Sequence, residues 1–122
     1  MFVARRRDRP SEVLEAAPNE LSDIVASTTT PLGANATYTS PQFATAGWGK
    51  IVGSCYADQP GTLRVEQRND GVNWDVRSEF SYSAGALLGF SVEVVGNEAR
   101  IVFINGATAQ TVFRLYCRLR RV

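Results

Sequence analysis

The side chains that most often carry chemistry are scarce in this sequence, and those present are badly spaced for it. Histidine is absent, which removes the commonest general base and the commonest metal ligand. Cys55 and Cys117 lie far apart, with no CxxC or Cys/His spacing, so a zinc site has no ligand set. They read as two buried thiols or as one bridge between core strands. Serine and threonine are plentiful, but a nucleophile needs an activating base, and Lys50 is the one non-carboxylate candidate. Gly47-Trp48-Gly49-Lys50 lacks the spacing of a phosphate-cradling loop. Asp70, Asn73 and Asp75 form an oxygen-rich group of the kind calcium takes. Their spacing does not fit an EF-hand loop, the closing glutamate is missing, and turn chemistry accounts for the same residues. Paired carboxylates could run a glycosidase, yet each acidic residue here has a simpler place in a turn, on a polar strand face or near the N-terminus. The expectation is a protein with no catalytic residues, no metal and no cofactor.

The arginines say more. Twelve of the thirteen basic residues are arginine, and they gather at the two ends of the chain. Arg5, Arg6, Arg7 and Arg9 open it, and Arg114, Arg118, Arg120 and Arg121 close it around Tyr116. Arginine pairs with carboxylates in a bidentate fork and sheds water more readily than lysine, which suits protein interfaces. Tyrosine beside arginine strengthens that reading. The competing account of the last strand is a solvated face with local ion pairs to Glu66, Glu79 or Glu93. Nucleic acid is not the expected partner. The chain carries a net charge of +1, and its first arginines are interleaved with Asp8, Glu12, Glu15, Glu20 and Asp23.

These side chains need elements to hold them, and the 122 residues suffice for one domain. The text divides near residue 34. Residues 1–34 are rich in breakers (Pro10, Pro18, Pro31, Gly33), with Val13, Leu14, Ala17, Leu21, Ile24 and Val25 at loosely helical spacing. They read as an extended arm with one or two helical turns, held by another chain or by the body. No apolar stretch follows the first arginines, so a secretory leader does not fit, and no run is long enough to cross a membrane as a helix.

From residue 35 onward, short segments rich in Val, Ile, Phe, Tyr and Thr alternate with turn signals, the pattern of a β-sandwich. Lys50–Ala57, Thr62–Gln67, a segment through Val76 and Phe80, Leu88–Val94, Arg100–Ile104 and Thr111–Arg121 read as strands. Pro60-Gly61 fits a type II turn, Asn69-Asp70-Gly71 a hairpin, and Gly96-Asn97 a second hairpin. Trp74 is assigned to the core. The last strand alternates most cleanly: Phe113, Leu115, Cys117 and Leu119 face one way, and Arg114, Tyr116, Arg118 and Arg120 the other. The expected architecture is all-β, an antiparallel, jelly-roll-like sandwich over residues 35–122 behind an N-terminal arm.

The stretches Gly61–Gln67 and Asp70–Asp75, with Arg100–Gly106 and Gln110–Leu115, resemble small β-sandwich virion proteins of tailed bacteriophages, of the head decoration (cement) type. The likeness covers residues 48–119, and its most specific part is Asn-Gly followed by Gln-Thr-x-Phe-Arg-Leu. It implies a virion component without fixing its place; the short chain and its arm point to a structural decoration protein that binds the major capsid protein at the capsid surface after assembly in the host cytoplasm. The implied form is a homo-oligomer, a trimer ahead of a dimer, without nucleic acid or membrane partners. The expected contacts are Arg5, Arg6, Arg7, Arg9, Leu14, Leu21 and Ile24 in the arm, with Arg114, Tyr116, Arg118 and Arg120 on the last strand. The alternative is a tail- or fibre-associated carbohydrate-binding module, in which Trp48 is the exposed stacking residue, supported by Tyr38, Tyr56, Tyr82 or Trp74.

Overall fold

The computed structural model describes residues 21–122, which are all-β. Nine strands follow in chain order: β1 (Ala26–Thr28), β2 (Thr37–Thr39), β3 (Phe43–Ala44), β4 (Lys50–Ala57), β5 (Gly61–Arg68), β6 (Val76–Tyr82), β7 (Leu88–Glu93), β8 (Glu98–Asn105) and β9 (Phe113–Arg120). They form two antiparallel sheets, ordered β1-β9-β4-β7 and β2-β8-β5-β6, with β3 also on β8. Setting β3 aside, this is the eight-stranded double-sheet arrangement of a jelly roll.

Alternation decides which face is buried. Phe113, Leu115, Cys117 and Leu119 of β9 and Ile51 and Cys55 of β4 meet Leu63, Val65, Ile101 and Phe103 of the opposing sheet in one core. Each large side chain buried this way contributes roughly 1.5–3 kcal/mol. Phe103 and Phe113 pack across the layers with ring centroids 4.9 Å apart. Tyr82, at the end of β6, ties the sheets together: its hydroxyl accepts from Ala57 N at 2.8 Å and donates to Ala86 O at 2.6 Å.

Several expectations need correction. The body does not begin at residue 35. Ser22 N donates to Leu119 O and Val25 N to Cys117 O, and β1 then pairs with β9, so residues 21–28 run along the edge of a sheet, and a loop over 29–36 joins them to the next strand. Residues 21–25 form no helical turn, since the Ser22 and Val25 amides are spent on β9. Gly96-Asn97 does not close a hairpin, because β7 belongs to one sheet and β8 to the other. Trp74 is not in the core: it lies outside the strands with the guanidinium groups of Arg68 and Arg100 each 4.3 Å from its ring centroid. Cation–π stacking on the outer surface competes successfully with burial there.

The Asn69–Gly71 turn does join β5 to β6 as a hairpin. Gly71 sits at φ 77°, and the Asp70 carboxylate accepts from Val72 N and Asn73 N, the local capping that makes Asp-Gly a turn signal. Gly61 departs from the expected turn, because it is the first residue of β5 without a positive φ. Cys55 and Cys117 are both buried and free.

Candidate binding face on the β1-β9-β4-β7 sheet

The two outer faces of the sandwich differ in charge balance. On the β2-β8-β5-β6 sheet, Arg64 pairs with Glu79 at 2.9 Å and Arg68 with Glu98 at 2.8 Å. Glu66, almost fully buried, accepts from both Arg77 and Arg100. That face is neutralised from within. On the other sheet Lys50 lies 3.8 Å from Glu93, whereas Arg114, Arg118 and Arg120 have no carboxylate partner among the described residues. The local pairs to Glu66, Glu79 or Glu93 are therefore not made by the β9 arginines.

Strand register places these arginines in a row. On β9, Arg114, Tyr116, Arg118 and Arg120 lie opposite Tyr56, Ser54, Val52 and Lys50 of β4. Arg114 stacks over the Tyr56 ring at 4.6 Å, and Arg118 donates to Ser22 O at 3.3 Å. Beyond β4, the outward residues of β7 include Gly89 and Ser91, opposite Ser54 and Val52. Short side chains there leave the surface hollow. Two depressions of about 440 and 330 Å³ share Ser54, Gly89 and Tyr116 and so form one trough. Leu21, Arg118 and Arg120 border one end; Tyr56, Leu87, Leu88 and Arg114 border the other.

Of the residues expected to make contacts, Leu21, Arg114, Tyr116, Arg118 and Arg120 thus come together on one face. Ile24 is exposed just before β1. Arg5, Arg6, Arg7, Arg9 and Leu14 lie outside the described residues. Trp48 is not an open stacking platform: it packs against the core and Arg121 covers its ring at 4.3 Å. Tyr82 is buried, Tyr38 packs edge-on against Phe113, and Trp74 is on the opposite sheet's outer surface. Only Tyr56 of that set reaches the trough. Sequence reasoning missed Ser54, Gly89, Ser91 and Leu87. The small residues on alternate positions of β4 and β7 were the available signal.

The described residues hold no cluster of three or more metal-ligating side chains, and the Asp70 carboxylate is spent on its own turn. The trough offers guanidinium, phenol and hydroxyl donors but no general base beside a nucleophile. Guanidinium and hydroxyl groups thus stand beside apolar side chains along one open face.

The family model described as the uncharacterised protein YqxG N-terminal domain matches residues 11–120. The chain belongs to this family. The match begins before β1, in keeping with an edge strand that is integral to the domain. Among solved structures the chain is similar to the crystal structure of PBSX exported protein XepA, with TM-score 0.73 and 26% identity. The alignment covers 83% of this chain and 37% of that one, so the chain spans little more than a third of its structural neighbour. No curated protein matches the sequence.

Proposed function

We propose that this domain is a non-catalytic structural module of a phage particle that attaches through the outer face of its β1-β9-β4-β7 sheet. In the finer form of the reading it is a decoration protein on the capsid shell, with the major capsid protein as partner. It acts there as a homo-oligomer, a trimer ahead of a dimer. The likeness to an exported PBSX protein fits a phage-associated chain in a virion-associated or extracellular location. The observation that carries the reading is the contrast between the faces: one sheet balances its arginines with its own carboxylates, and the other leaves three for a partner. Unmatched guanidinium groups beside tyrosine are what interface hot spots are made of.

The test is co-sedimentation of the purified chain with phage particles, comparing wild type with an R114E/R118E/R120E variant. Wild type pellets with particles and the variant stays in the supernatant, while an R64E control on the opposite face, where the partner Glu79 is exposed, still pellets. Equal pelleting of all three proteins rules the face out. A second reading, a tail- or fibre-associated module for carbohydrate, is favoured by Tyr116 beside the hydroxyl-lined floor. Binding on a glycan array that depends on Tyr116 supports it.

A further inference from the structure

We infer that the trough takes an extended acidic peptide segment of a partner protein, with carboxylates on Arg118 and Arg120 and an apolar side chain at the Leu87–Tyr56 end. This rests on the reading of that sheet face as the attachment surface, and adds what lies in it.

Charge comes first. Lys50, Arg64, Arg68, Arg77 and Arg100 each have a carboxylate within 4 Å. The three outward arginines of β9 do not have one among the described residues. Guanidinium forks prefer planar, bidentate acceptors, and a carboxylate is the commonest such group on proteins.

Spacing comes second. Alternate residues on a strand stand about 6.6 Å apart, so the row from Arg114 to Arg120 spans about 20 Å. A peptide laid along β9 in extended form repeats its same-side groups at that same interval. Two acidic side chains at alternate positions therefore fall on Arg118 and Arg120 without bending either chain.

Shape and polarity decide between peptide and polymer. The floor has room: a methyl group at Gly89 would find nothing nearer than Gly53 O at 3.9 Å. At the far end Leu87 is 90% exposed, beside Leu88 and the Arg114-capped ring of Tyr56. An acidic polysaccharide offers such a ledge only the C–H faces of its rings, which stack on aromatic rings rather than on an aliphatic side chain such as Leu87. A peptide supplies leucine-like and glutamate-like groups on one strand.

The experiment measures fluorescence polarisation of a labelled peptide, Leu-(Glu-Thr)4-Leu, with the full-length chain at low ionic strength. The same peptide with lysine replacing glutamate, and sodium polygalacturonate, are the comparison probes. The glutamate peptide binds, R118A/R120A weakens it about tenfold or more, as loss of paired charges should, and Gly89→Trp abolishes it by filling the floor. R77A leaves it unchanged. Thermal melts confirm that each variant is folded. Absence of glutamate-peptide binding, equal binding of the lysine peptide, or full binding by folded R118A/R120A or Gly89→Trp overturns the inference. Tighter, Arg118-dependent binding of polygalacturonate overturns it in favour of an acidic glycan. Peptide binding without particle co-sedimentation removes the attachment reading alone, and co-sedimentation without peptide binding removes this inference alone.

Discussion

The backbone amide of Gly96 donates to Oε1 of Gln67 at 3.0 Å, which anchors the chain where it crosses from one sheet to the other. Gln67 is fully buried at the end of β5. The same oxygen accepts from Val95 N at 2.8 Å, and its Nε2 donates to Glu93 O at 2.9 Å. One carboxamide thus satisfies three main-chain groups of a bend that has no ladder of its own.

Gln67→Leu keeps the volume and removes all three bonds, leaving the buried Gly96 amide unpaired. The expected cost is about 3 kcal/mol, read as a lower denaturation midpoint in urea at unchanged slope. A midpoint equal to wild type would show that this bend is held by other contacts.

Two glycines that lie close together on β4 and β7 should behave oppositely. A Cβ on Gly53 would overlap the Tyr116 carbonyl oxygen and lie 2.5 Å from the Phe90 ring, whereas one on Gly89 would make only an ordinary contact with Gly53 O at 3.9 Å. Gly53→Ala is expected to lose more than about 2 kcal/mol, in the range of overpacked cores. Gly89→Ala should stay within about 0.5 kcal/mol, as surface changes do. Chemical denaturation of both variants checks the pair, and equal effects contradict the packing described.

Titration should act at both ends of the pH range. The N–H groups of Asn73 and Val72, with the Asn73 side-chain amide, hold Asp70 down to about 2 from an ordinary 3.8. A lowered carboxylate stabilises the fold above pH 3.8 and loses that contribution as pH falls toward 2. Asp70→Ala should therefore melt below wild type at pH 7, with the gap narrowing near pH 2; a constant gap contradicts the linkage. Burial pushes both Cys55 and Cys117 up to about 12 from 9.0. The neutral thiols favour the fold below pH 9, and this is lost as pH rises toward 12. At pH 8 a thiol reagent should label neither cysteine in the folded protein and both in denaturant. Fast labelling of the folded chain would contradict their burial.

Much of this was legible in the residues. Period-two alternation assigns Phe113, Leu115, Cys117 and Leu119 inward and Arg114, Tyr116, Arg118 and Arg120 outward, and the burial along β9 follows it. Lys50–Ala57 appears with both of its expected ends. Such patterns are local: side-chain direction on a strand depends only on its own backbone, so a sheet with one buried face writes itself into every second residue. The same locality set the arginines in a row before any neighbour was known.

What lay beyond reach depended on residues distant in the chain. Gly96-Asn97 has the same turn chemistry whether it returns within a sheet or crosses to the other, and the choice falls to Gln67, far back on β5. Residues 21–34 look like a tether because their breakers hide a three-residue strand, which gains its order from β9 rather than from its own pattern. Trp74 has the hydrophobicity of a core residue, but two guanidinium groups brought together by β5 and β8 give it a place outside. The trough, too, exists only because β7 lies beside β4. Strand pairing over long separations and the contest between rival contacts are collective, and no single stretch of chain encodes their outcome.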